Sequence, residues 1–245
     1  MKRTLLRPTL TWLFGLIVGL TPLIDAHAVS AQEQLQIHAN RATSSLLQLR
    51  GEGFQPAHKQ RLEADLAALQ TVMQTIGSGQ EELARTHLEL VTQLRNGVAY
   101  GPNEEDVPWR YPEDLSRSLR DFLSAARALP GSGGDELGAK IEYLGVQYLA
   151  RSYMGNFEIA REQPDTYVGQ DERVLLPNID NAIANLQSND PQAIKLKTRW
   201  TYLRSALSDM NSAVTSLVST SGRPFAPLTV DRHTRAFTSQ WMAMN

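Results

Sequence analysis

Arg151 continues the helical stripe Ile141, Leu144 and Tyr148 by one further step of three. That spacing aims a guanidinium at apolar and aromatic neighbours, where an uncompensated charge is costly. Either an internal acid such as Asp209 or Glu158 pairs with it, or the site takes an anionic ligand. Trp200 lies in a second stripe with Arg204 one turn further on. An aromatic face beside a fork-shaped cation would floor a pocket for a small carboxylate or a nitrate-sized anion. Arg151, Tyr148, Trp200 and Arg204 are therefore the candidate ligand-binding residues. The plainer alternative is a core tryptophan with a solvated arginine.

Other chemistry is scarce. The chain has no His-Glu-x-x-His zinc motif, no Gly-x-Ser-x-Gly elbow, no phosphate loop ending in Lys-Ser/Thr and no calcium loop. Beyond residue 28 the histidines are His38, His58, His87 and His233, and none stands four residues from another. No metal and no cofactor is expected from such spacing. His87 falls in an apolar stripe and reads as a core histidine, with metal or haem ligation and a pH switch as alternatives. The pairs Glu81-Glu82, Glu104-Glu105 and Asp171-Glu172 diverge by about 100° on a helix, so they read as helix-start or loop charges rather than an acid/base couple. Gly131-Ser132-Gly133-Gly134 lacks the preceding strand and lysine of a phosphate cradle and reads as a linker. No reaction centre is recognisable, and the protein is expected not to be an enzyme.

Composition narrows the field further. The absence of cysteine in the 245 residues removes disulfides, thiolate zinc sites, iron–sulfur clusters, thiol nucleophiles and lipid anchoring through cysteine. A formal charge of -2 offers no electrostatic case for nucleic acid or anionic lipid. Lys2, Arg3 and Arg7 precede the apolar run Leu10 to Leu20, and the small-residue patterns Ala26-His27-Ala28 and Val29-Ser30-Ala31 follow. This is the plan of a secretory signal peptide over residues 1–28, with cleavage after Ala28 or Ala31. The apolar run is short for a ~20-residue membrane span. Clipping it removes three positive charges and one negative, which makes the remainder two units more acidic. A periplasmic or secreted location follows, with no membrane insertion after cleavage; cysteine-free exported domains of this size suit a bacterial periplasm.

The candidate residues must be carried by helices. Leu35, Ala39, Ala42, Leu46 and Leu49 alternate steps of four and three, and Gly51 and Gly53 follow. Leu62 to Ile76 marks a second helix. A third carries Leu83, His87, Leu90 and Leu94 and stops near Asn96-Gly97. Residues 101–112, with three prolines, read as an irregular loop, and Leu115 to Leu129 as a fourth helix. The fifth spans about residues 135–162 with two apolar stripes, which suggests a central position. A sixth carries Leu176, Ile179, Ile183 and Leu186. Asn189-Asp190-Pro191 caps a seventh, where Leu196, Trp200, Leu203, Leu207, Met210, Val214 and Leu217 repeat over three heptads. Leu228 to Met242 makes the last, with Phe237 and Trp241 buried. No segment alternates with period two. The expectation is an all-α antiparallel bundle of about seven or eight helices over residues 32–245, with a possible sub-bundle boundary at 130–135.

The segments 143–151 (YLGVQYLAR) and 199–207 (RWTYLRSAL) resemble helices in the periplasmic sensing bundles of type IV pilus chemotaxis transducers and nitrate sensors. Arg41-Ala42-Thr43-Ser44-Ser45 departs from the arginine signature of their first helix. Those relatives also carry a transmembrane helix and a cytoplasmic output domain, for which this sequence shows no pattern. The resemblance thus implies a free-standing ligand-binding or accessory bundle that works by contacting another envelope protein. The leading expectation is an exported bundle acting through protein contacts as an accessory or scaffold, with Trp109, Tyr111 and Trp241 as aromatic anchors. The alternative is a small-anion binding or sensing bundle.

Overall fold

Ser30 begins the first helix by accepting a hydrogen bond from the Glu33 amide at 3.1 Å, which satisfies one of the unpaired donors of the first turn. In the computed structural model, which describes residues 29–130, 135–155, 166–187, 189–214 and 217–244, eight α-helices follow one another. They are α1 (Ala31–Gly51), α2 (Pro56–Thr75), α3 (Glu81–Ala99), α4 (Tyr111–Arg127), α5 (Leu137–Met154), α6 (Glu172–Ala184), α7 (Pro191–Leu207) and α8 (Pro227–Met244). A single 3-10 turn at Glu104–Asp106 interrupts the loop before α4. No strand occurs among the described residues, and none of their helices is long and apolar enough to cross a membrane. The expected leader and the glycine cluster at 131–134 lie outside the described residues.

The bundle is organised around α1, which packs against α2, α3, α4, α5 and α8. Fifteen of its 21 residues are buried, and eight of those are polar. The expected stripe accounts for five of its seven buried apolar residues, and Ile37 and Leu47 lie off it. The central position expected for the fifth helix is real, since α5 is buried from Leu137 to Arg151 except at Lys140, but α5 shares it with α1. Because α1 also packs on helices from both sides of residues 130–135, one hydrophobic cluster includes Leu35, Phe122, Leu144 and Phe237.

Two expected helix ends move. The third helix does not stop at Gly97 but continues to Ala99 before Gly101 adopts a φ of 71°. Gly97 is instead a place of close approach: a Cβ there would fall on the Tyr111 hydroxyl and come within 2.8 Å of Leu46 Cδ2. Gly97→Ala is expected to cost about 1–3 kcal/mol by overpacking, although alanine is the better helix former by about 1 kcal/mol. Urea unfolding reads this directly, and an unchanged or higher midpoint would mean that the α1–α3–α4 junction is slack.

The seventh helix ends at Leu207, short of the three expected heptads. Asn211 takes a left-handed φ of 59°, and the Asp209 carboxylate accepts from the Ser221 amide and hydroxyl at 2.6 Å each, turning the chain away. Met210 stays in the core, whereas Val214 and Leu217 are exposed. At the start of the same helix Asp190 accepts from the amides of Gln192 and Ala193, with Pro191 in the first turn, as the sequence implies. The fifth helix is described to Met154, followed by Gly155 at a φ of 91°. The remainder of its expected span, including Glu158, lies outside the described residues up to 165.

Candidate functional site

The ligand set expected from sequence forms two separate internal contacts. On α7, Trp200 is buried edge-on against Phe237 and donates from Nε1 to Asp180 Oδ1 at 2.8 Å. Arg204 donates from Nε to both oxygens of the same carboxylate, at 2.8 and 2.9 Å. The aromatic and the cation therefore do meet around a carboxylate, but α6 of the same chain supplies it. Tyr148 and Arg151 lie on α5 and brace the segment between α7 and α8. The Tyr148 hydroxyl accepts from the Ala226 amide at 3.0 Å with its ring edge-on to Phe225, and Arg151 donates to the Val214 carbonyl at 2.9 Å. Asp209, one of the acids considered for Arg151, is occupied by Ser221.

The three aromatic anchors also part company. Tyr111 is buried at 2 % exposure, which overturns its assignment as a surface anchor. Its hydroxyl donates to the Gln93 carbonyl at 2.9 Å, its ring meets Tyr100 edge-on, and burial pushes its phenol well above the usual value. Trp241 is half-buried and donates from Nε1 to Glu33 at 3.1 Å, so it closes the end of the bundle. Trp109 alone stands clear, 84 % exposed, with the Arg110 guanidinium 5.5 Å from the centre of its ring. It follows the exposed acidic run Glu104, Glu105 and Asp106.

His87 packs its ring 5.9 Å from Phe122, and burial alone lowers its pKa from the usual value, which favours the neutral form. Among the described residues no three His, Asp or Glu side chains group in a way that could hold a metal ion. Asp171 caps α6 by accepting from the Arg173 amide at 3.1 Å. Its neighbour Glu172 is buried and accepts from Ser212, unlike the solvated end expected for it.

The densest polar cluster is one that the sequence did not announce. Between α1, α2, α5 and α8, three arginines meet three carboxylates. Arg41 donates from Nε to Glu142 at 2.7 Å and from Nη2 to the hydroxyls of Thr238 and Ser239 at 2.6 and 2.9 Å. Thr238 in turn donates to Glu142. Arg235 bonds Asp231 at 2.9 Å and Asp65 at 3.0 Å, and reaches the Ser45 hydroxyl and Arg41 carbonyl of α1. Arg61 completes the set by donating to Asp231 and Gln48. Burial works against the charge on Arg235, yet Asp231 and Asp65 hold its pKa above the usual arginine value. These matched charges and fixed donors tie α8 to α1, α2 and α5. Its one sequence trace was the Asp231/Arg235 spacing of four, which places both on one helical face.

Another buried carboxylate, Glu33, lies at the end of the bundle. Ser30-x-x-Glu33 has the spacing of a capping box, but Glu33 does not reach back. Its Oε1 accepts the Gly138 amide at 2.7 Å, in the first turn of α5, where a negative charge is favoured by the helix dipole. Burial nevertheless raises its pKa above the usual carboxylate value, against the hydrogen bonds from Gly138, Trp241 and Ala139.

No family model, no curated protein and no solved structure matches this chain.

Proposed function

We propose that the protein is an exported helical bundle that acts by contact, with the turn carrying Trp109 as the part that docks on a partner in the cell envelope. The observation that carries this reading is Trp109 itself: a large aromatic side chain left almost wholly in water beside an arginine, two residue types that dominate binding hot spots. The acidic residues Glu104, Glu105 and Asp106 favour a partner whose facing surface is basic. Export rests on the three-part leader in residues 1–28. Cleavage after Ala28 fits the fold better than cleavage after Ala31, because it retains Val29, which is buried, and Ser30, which caps α1.

A photo-reactive side chain at position 109, in the protein expressed with its leader in its own cells, is expected to join one defined partner, whereas the same group at exposed Leu88 is not. Trp109→Ala should weaken binding of that purified partner by about 2 kcal/mol, roughly thirtyfold. Equal crosslinking from positions 109 and 88, or an affinity unchanged by Trp109→Ala, would overturn the reading. The mass of the exported chain tests the leader separately.

A further inference from the structure

Near the start of α5 a cavity of about 210 Å³ is lined by Arg127, Glu136, Lys140, Thr166, Tyr167 and Val174. Its polar groups are unequally employed. Glu136 is fully engaged: it accepts from Arg127 Nε at 2.8 and 3.0 Å and from Gln36 Nε2 at 3.1 Å. Arg127 lies over the Tyr167 ring at 5.5 Å and also donates from Nη1 to Thr166, which fixes the plane of its guanidinium. Tyr167 is locked by its own bond to Gln36 at 2.6 Å. Arg127 and Glu136 cancel in charge. The amide of half-buried Lys140 donates to the Glu136 carbonyl at 2.9 Å, one helical turn back, but its ammonium makes no hydrogen bond or ion pair among the described residues, so those lining groups leave one positive charge.

We infer that this cavity is a binding site for a short-chain monocarboxylate. Lys140 Nζ would pair with the carboxylate, a second donor is available from the held guanidinium of Arg127, and the Val174 side would take the alkyl tail. Charge-assisted hydrogen bonds are the strong ones, and a pre-oriented guanidinium loses little entropy in making them. The volume equals about seven waters at roughly 30 Å³ each, which admits a molecule of the size of butyrate. A single net charge matches one carboxylate. The contact reading of Trp109 is independent of this site.

The test uses the exported chain and three compounds: butyrate, butan-1-ol as the uncharged tail, and N-acetyl-Gly-Ala as a peptide terminus. Butyrate is expected to raise the melting temperature in a saturable way, the alcohol and the peptide to leave it unchanged. Lys140→Gln, at a half-buried position, should keep the unliganded melting temperature and weaken butyrate about tenfold or more, the loss of one charge-assisted bond. No shift with butyrate, an equal shift with butan-1-ol, stabilisation by the peptide alone, or an unchanged butyrate affinity in Lys140→Gln would each overturn the inference.

Discussion

Glu142→Ala is expected to destabilise the protein by about 3–5 kcal/mol, because it strips Arg41 of the only carboxylate it meets among the described residues while leaving the guanidinium inside the bundle. Glu142 is 1 % exposed and Arg41 8 %, so water cannot take over the lost bond. The same change frees the Thr238 hydroxyl that Glu142 accepts from, which loosens α8 where it crosses α1 and α5. At roughly 2–4 °C per kcal/mol for a chain of this size, the melting temperature should fall by about 6–20 °C. The penalty belongs to the orphaned cation rather than to the worth of the pair. Arg41→Met combined with Glu142→Met should therefore recover most of the loss. A single Glu142→Ala variant that melts within about a degree of the unmodified protein would show that solvent already reaches this cluster.

Acid should unfold the protein through His38, which is pushed down to about 4 by burial, and then by Arg41 on its own helix and Arg235 on α8, against the opposing pull of Asp65 on α2. The unfolded chain takes up this proton near the ordinary value of 6.5, whereas the folded chain resists until about 4. More protons are thus bound when unfolded, so stability falls as the pH drops through that window, by about 3 kcal/mol in full. His87, lowered by burial, adds in the same sense. Glu33 runs the other way: its raised pKa means that the folded form protonates more readily, and acidification above its ordinary 4.5 returns part of the loss. Urea midpoints at about pH 7.5 and 4.5 should differ clearly in the unmodified protein and much less in His38→Gln. Equal differences in the two proteins would exclude His38 as the source.

Helical periodicity located all eight helices because apolar side chains must return to one face every three or four residues, whatever they pack against. It failed where a local contact outbid the pattern. The heptad stripe past Leu207 continues in the letters, but Asp209 is held by Ser221 and Asn211 by a left-handed turn, so Val214 and Leu217 are left in water. Gly97 reads as a stop only if its lack of side chain is taken as helix breaking. Its neighbours show that the missing Cβ makes room for Tyr111.

The residues expected from sequence to bind a ligand divide in the same way. The spacing of Trp200 and Arg204 puts them one turn apart on one face, where the sequence offered them as the floor of a pocket for a small carboxylate. That the carboxylate is Asp180, twenty residues earlier, depends on how α6 lies against α7. Tyr111 and Trp109 are two residues apart and equally aromatic, yet one is buried and the other exposed, since only the α3–α4 contact decides which of them meets the core.

Sequence alone determined the all-α class, the rhythm and approximate number of the helices, the capped start of α7 at Asp190-Pro191, and the exclusion of cysteine chemistry. These depend on neighbours along the chain or on composition. Tertiary structure decided that α1, half polar, is a central helix, that Arg41 on it meets Glu142 across 101 residues, and that the Lys140 ammonium finds no counter-charge among the described residues beside a cavity. The physical reason is that a buried charge is stable only beside its opposite, and the identity of that opposite is set by which helices touch.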